Sequence, residues 1–156
     1  MPSRRELIAM TPEEVREYLL AQQRIILISN GASGFPHPAP MNYGLDGQGR
    51  VLILTFAKSQ KVRNLERDPR ATLLVESGRV YQELKSVILY CRTEIIHPGP
   101  DFDAARDSFT TKAQTRTAQT PEMLEQIAES MKKRVCLRFT PERVISWDHA
   151  KLAGKY

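Results

Sequence analysis

Apolar positions along the chain keep two rhythms, and each change of rhythm marks an element. Val15, Tyr18 and Leu19 recur at helical spacing behind Thr11-Pro12-Glu13-Glu14. That tetrad reads as an N-cap, a proline at the first helical position and a capping-box glutamate, so a helix is predicted over residues 12–21. RIILISN at 24–30 is a short apolar run with β-branched content and predicts a buried strand. Two glycines and a proline over 31–36 break it. HPAPMNYGL at 37–45 carries two prolines, which restrict it to an edge or irregular strand with part of its backbone free. Asp46-Gly47-Gln48-Gly49 is a hairpin turn and 50–56 the returning strand. A short helix is then predicted from a Ser59 cap to Arg67, stopped by Asp68-Pro69, and ATLLVE at 71–76 gives another strand.

Residues 81–97 form the longest extended run, interrupted by Arg92 and Glu94, so it spans more than one region of the sheet. Residues 101–109 predict a helix with Phe102, Ala105 and Phe109 inward. TTKAQTRTAQT at 110–120 holds no large apolar residue and is expected to be mobile or to order against a ligand or partner. Over 121–133, Leu124, Ile127, Ala128 and Met131 share one stripe, which reads as core packing. RVCLRFT at 134–140 and RVISW at 143–147, parted by a Pro141-Glu142 turn, predict a last antiparallel pair, followed by a polar tail. Strands joined by short hairpins and one short helix make a meander closing into a barrel with helices outside it. The expected fold is mainly β with helices (α+β), a single domain over 11–156 behind a loose basic arm at 1–10.

With 156 residues, 41% of them apolar, the chain can bury one real core. No stretch is long enough to cross a bilayer and no signal-peptide pattern opens the chain, so a cytoplasmic protein without a membrane partner is expected. Cys91 and Cys136 each sit inside an apolar run and read as reduced core thiols. His37, His97 and His149 make no zinc or iron spacing with them, and no metal is expected. The formal charge is +5, but basic residues are interleaved with acids. There is no basic tract and no basic–aromatic ladder, so nucleic acid is not an expected partner.

One local excess of charge stands out. Helix N-termini favour acidic side chains, because their free N–H groups carry partial positive charge. At Ser59 the chain does the opposite: Lys58 and Lys61 flank the cap, and no carboxylate follows before Glu66. A cationic helix start suits an external anion such as a phosphate; a plain cap beside solvated lysines is the other reading. Arg63 and Arg67 share a helix face with Glu66 and Asp68 available for surface pairing. His37, among prolines, reads as structural. Asp148 and His149 are adjacent, point to opposite faces of a strand and do not meet easily as an acid–base pair. Walker, GxGxxG, GxSxG and HExxH motifs are absent, and no catalytic residue is assigned. An enzyme built this way relies on a bound cofactor for its reactive atom.

The order GFPHPAPMNYGLDGQGRVLILTFAKSQKVRNLERDPRATLLVE resembles the pyridoxamine 5′-phosphate oxidase-like proteins of the flavin-binding split-barrel fold. YQELKSVILYCRTEII and the closing PERVISWDHAKL are similar to the flavin- and deazaflavin-dependent reductase branch of that superfamily. The resemblance implies a homodimer of six-stranded split barrels with two cofactor sites in the interface. It implies that Ser59 and Lys61 hold the cofactor phosphate, with Lys58 and Gln60 nearby, and that Thr55, Phe56 and Ala57 line the ring or ribityl chain. It implies further that Pro40, Met41, Asn42 and Tyr43 face the ring, and that Trp147 reaches the site from the second subunit. The cofactor implied is FMN, with the phosphorylated deazaflavin coenzyme as the alternative. The activity implied is hydride transfer to or from a small organic substrate; a non-catalytic flavin- or haem-binding protein is the other class. The founding enzyme's C-terminal Arg-x-His pair is missing from SWDHAKL, so oxidation of pyridoxamine phosphate itself is not expected.

Overall fold

A computed structural model of the chain describes residues 1–113 and 120–154. Seven strands, β1 (Arg24–Asn30), β2 (Pro36–Asn42), β3 (Gly44–Leu45), β4 (Val51–Phe56), β5 (Arg70–Ser77), β6 (Lys85–Ile96) and β7 (Arg134–Asp148), form one antiparallel sheet. The strand order is β2-β1-β5-β6-β7-β4-β3. β2 and β3 stand at opposite edges of that order, yet only Tyr43 separates them in the chain. The chain that leaves one edge therefore re-enters at the other, and the sheet curls into a split barrel. Taken as one broken strand, β2 and β3 bring the seven back to the six expected. The irregularity has its cause in Pro36, Pro38 and Pro40, which have no N–H to give to a ladder.

The barrel interior is filled by alternate residues of its strands, among them Ile25, Leu27, Ile53, Leu73, Val87 and Phe139. The helix α2 (Pro12–Ala21) adds Val15, Tyr18 and Leu19 to that core, and its expected capping box is present, with Thr11 accepting from the Glu14 N–H and Glu14 from the Thr11 N–H. The helix α3 (Gln60–Arg67) contributes Val62 and Leu65. The helix α4 (Pro100–Ala113) packs Phe102 and Ala105 against Leu52, Leu54 and Cys136, so β4 is buried on both faces. Both cysteines are free and buried, and burial pushes Cys91 up to about 12 and Cys136 up to about 11. No helix among the described residues is long and apolar enough to cross a membrane.

Four expectations need correction. The Pro141-Glu142 turn is not a turn: β7 runs through it unbroken, and the register with β6 shifts there, pairing Cys91 with Pro141 and Tyr90 with Arg143. A bulge takes the extra residue, and a bulge tolerates proline. The arm at 1–10 contains a helix, α1 (Arg4–Ile8), because Ser3 and Glu6 close a capping box. The arm is also tied down, with Met10 buried and its N–H donating to Ser146 Oγ. The stripe on α5 (Pro121–Met131) is not core: Leu124 is 51% exposed, Ala128 is exposed too, and of the four residues only Met131 packs against the α4 cluster. Residues 110–113 extend α4 and Thr120 caps α5, while the expectation of a mobile segment otherwise falls on 114–119, outside the described residues, as does the side chain of Phe109.

Register also defines the outer face of the sheet. Pro40, Ile26, Leu74, Ile88 and Ile145 are successive cross-strand partners from β2 to β7. Beside them run Pro38, Ile28, Thr72 and Tyr90. The isoleucines and Leu74 are half-buried and Tyr90 is 39% exposed, whereas their inward neighbours Leu27, Leu73, Val87 and Leu89 are fully buried.

Candidate functional site

The start of α3 is positioned by the barrel on both sides. β4 ends at Phe56, whose register partner is Arg134, and the Ala57 N–H donates to the Lys133 carbonyl at 3.0 Å. The Ser59 N–H donates back to the Phe56 carbonyl at 3.1 Å, turning the chain into the helix. Ser59 has the extended backbone of an N-cap (φ −71°, ψ 155°) but its side chain makes no capping bond. Its Oγ is buried and has no hydrogen-bond partner among the described residues. At Ser3, Thr11 and Thr120 the equivalent hydroxyl accepts a helix N–H. A buried hydroxyl left unpaired costs about 1–3 kcal/mol, so an orphan beside the free first-turn amides of Gln60, Lys61 and Val62 marks a place for an acceptor atom.

The charges around that hydroxyl have one sign. Lys61 is partly buried, and burial, followed by the nearby Arg134 guanidinium, lowers its pKa from the usual lysine value. The Arg134 guanidinium lies over the Phe56 ring at 4.3 Å from its centroid, and its Nε donates to Ser130 Oγ at 3.2 Å. Lys58, Lys61 and Arg134 make no ion pair among the described residues, and the first turn of α3 holds no acid. Two cations held close together repel one another, and an anion between them stabilises both.

The other expected residues are placed unevenly. Phe56 is 49% exposed beside Lys58, while Thr55 is 3% exposed and Ala57 packs against the core. The Gln60 amide donates to Asn64 Oδ1 at 2.9 Å, and Asn64 in turn to Ser29 Oγ at 3.1 Å, which anchors the helix start to β1. Pro40 and Asn42 are exposed on the edge strand and Met41 packs partly into the core. Tyr43 lies within the barrel, 4% exposed, with its hydroxyl donating to the Leu19 carbonyl, and burial pushes its phenol up. Its side chain is therefore core, not a surface for a ring to meet. Trp147 pairs with Ser86 near the far end of β7 from Arg134, so a single chain does not bring it to Lys61.

Asp148 and His149 have structural work of their own. Asp148 pairs with Lys85 at 3.1 Å and accepts from the Ala150 N–H, while the His149 Nδ1 donates to the Tyr81 carbonyl at 2.9 Å. Arg67 donates to the Asn30 carbonyl at 2.7 Å and Arg70 pairs with Asp68 at 2.7 Å. No cluster of metal-ligating side chains occurs among the described residues. Arg134 was missed by sequence reasoning, because only the β4–β7 register places it across from Phe56.

Comparisons with known proteins agree with this architecture. The family model described as pyridoxamine 5′-phosphate oxidase matches residues 11–148, and the chain belongs to that family. The conserved hypothetical protein Rv2991 of Mycobacterium tuberculosis is 30% identical, with a TM-score of 0.85 over 99% of this chain and 95% of its own. An FAD-binding protein of Mesorhizobium loti shares the fold at 17% identity, with a TM-score of 0.66 over 88% of this chain and 92% of its own. An F420 reductase does so at 18% identity, with a TM-score of 0.59 over 82% of this chain and 94% of its own. No curated protein matches the sequence.

Proposed function

We propose that the chain is an FMN-binding oxidoreductase that works as a homodimer on a small organic substrate. The observation that carries the reading is the orphaned Ser59 hydroxyl at a helix start served by Lys61 and Arg134 and by no carboxylate. This donor set fits a phosphate: helix amides and a hydroxyl for its oxygens, an ammonium and a guanidinium for its charge. Phe56, half exposed and roofed by Arg134, offers an apolar edge next to that site. A bound flavin supplies the hydride chemistry, and the protein binds and orients it and shields it from water.

The dimer is supported by the outer sheet face of Ile26, Leu74, Ile88, Tyr90 and Ile145, which is apolar and spans four strands. Trp147 follows Ile145 by two residues and so shares that face, which suits a side chain that reaches a second subunit's site. The FAD-binding relative in the same fold favours a flavin. The F420 reductase of the same fold favours the deazaflavin coenzyme as the second reading, and both reach the chain through the same phosphate site. Purified protein incubated with each cofactor and desalted separates the two. Retained FMN gives a two-banded visible spectrum and retained deazaflavin a single band; retention of neither contradicts both readings.

A further inference from the structure

The end of β7 is held from two sides. On one side stands the turn Tyr81–Glu83, and on the other the arm that carries α1. Trp147 lies between them, paired with Ser86 of β6. Both of its neighbours are pinned on the inner face of the strand. Ser146, opposite the core residue Val87, accepts at Oγ from the Met10 N–H at 3.0 Å, and Asp148 pairs with Lys85 at 3.1 Å. Alternation then turns the indole to the outer face, where it makes no hydrogen bond or ring contact among the described residues.

The arm has little of its own to keep it in place. The helix α1 has five residues and buries none of them, and a helix that short is marginal in water. It is fixed instead by polar contacts with the chain around Trp147. Arg4 donates to the Tyr81 hydroxyl at 3.1 Å. Lys151 Nζ donates to the Ala9 carbonyl at 2.8 Å and pairs with Glu14 at 2.6 Å. His149 ties the tail turn His149–Leu152 to the turn Tyr81–Glu83. Its N–H donates to the Leu84 carbonyl at 3.0 Å and its Nδ1 to the Tyr81 carbonyl at 2.9 Å. Its ring also meets the Tyr81 ring edge-on, with 4.4 Å between centroids. The Tyr81–Glu83 turn is a firm abutment, because it closes on Gly78. The φ of +106° there suits glycine, and a Cβ would collide with the Glu83 carbonyl.

We propose that the arm and the His149 turn form a clasp that positions Trp147, so that the arm of one chain helps complete the cofactor site of the other. His149 is the central positioning residue of this clasp. The role rests on the proposed contact of Trp147 with the second subunit's flavin. Trp147 is the chain's single tryptophan, so its fluorescence reports on the clasp even without cofactor. In the full chain, His149→Ala is expected to raise acrylamide quenching of Trp147 by about twofold or more and to weaken FMN by about three- to tenfold, the equilibrium equivalent of one lost contact. His149→Asn, whose amide can donate to the Tyr81 carbonyl in place of Nδ1, should restore most of both. Arg4→Ala, at an exposed position on the arm, should move both readouts in the same direction by less, and it decides the matter if His149→Ala does not fold. Quenching that stays at the parent's level in these variants would overturn the clasp. So would raised quenching with the parent's FMN affinity, where Trp147→Phe itself binds FMN more weakly. Trp147→Phe with undiminished FMN affinity would instead refute the contact of Trp147 with the flavin, and the clasp's role with it.

Discussion

Ser59 is the cap that does not cap, and the residues around it explain why a hydroxyl is tolerated there unpaired. A helix start normally spends such a hydroxyl on its own N–H groups, as Thr11 and Thr120 do. Here the cap lies beside Lys61 and near Arg134, cations without acids of their own. The pH dependence follows from the direction of the Lys61 shift. Lysine binds an anion in its protonated form, and burial together with Arg134 makes this ammonium give up its proton below the usual lysine pH. Cofactor affinity is therefore expected to fall as pH rises through that lowered value, and Lys61→Ala should flatten the fall; binding titrations across alkaline pH check both. Tyr43 makes the opposite case. With its hydroxyl on the Leu19 carbonyl inside the barrel, Tyr43→Phe should cost about 1 kcal/mol of stability in denaturant unfolding, the net worth of one hydrogen bond, and leave cofactor binding as it was. Sequence placed Tyr43 beside the ring because it follows Pro40, Met41 and Asn42, but alternation had already turned it inward.

At the scale of elements, the site exists because α3 is pinned. Val62 and Leu65 are 1% and 2% exposed, and the Gln60–Asn64–Ser29 chain of hydrogen bonds ties the helix start to β1. Leu65→Ala is expected to destabilise the fold by about 2–4 kcal/mol in chemical unfolding, the cost of a cavity under a core leucine. Elements with local signals were legible in the sequence. The Thr11 capping box, the Ser59-to-Asp68 helix and the 46–49 turn all depend on residues a few positions apart. Elements whose meaning depends on what packs against them were not. Periodicity shows that α5 has an apolar stripe but not that most of it stays uncovered. Proline at 141 signals a break in pairing, and only the partner strand decides whether that break is a turn or a bulge. Arg134 belongs with these: its role comes from a register between strands far apart in the chain.

At the scale of the molecule, an apolar sheet face that sequence could only imply through resemblance becomes visible as a row of cross-strand partners. Such a face on one chain is what an isologous dimer buries. Ile88 sits at its centre, between Leu74 and Ile145. If the proposed dimer forms through this face, Ile88→Asp is expected to shift the protein from dimer to monomer in light scattering, and, on the proposal that Trp147 serves the second subunit's site, to lower cofactor retention at the same time. Monomer formation with undiminished retention would confine the cofactor site to one chain.

The phosphate assignment at α3 is the claim on which the rest depends, and it is tested most directly by removing the phosphate from either partner. The cofactor that survives desalting is compared with its dephosphorylated form for binding to the parent chain and to Lys61→Ala. The phosphate should be worth roughly 1.5–3 kcal/mol to the parent, the scale of charge-assisted hydrogen bonds, and most of that preference should vanish in Lys61→Ala. A parent chain that binds both forms equally, or a Lys61→Ala variant that keeps the full preference, would contradict the account.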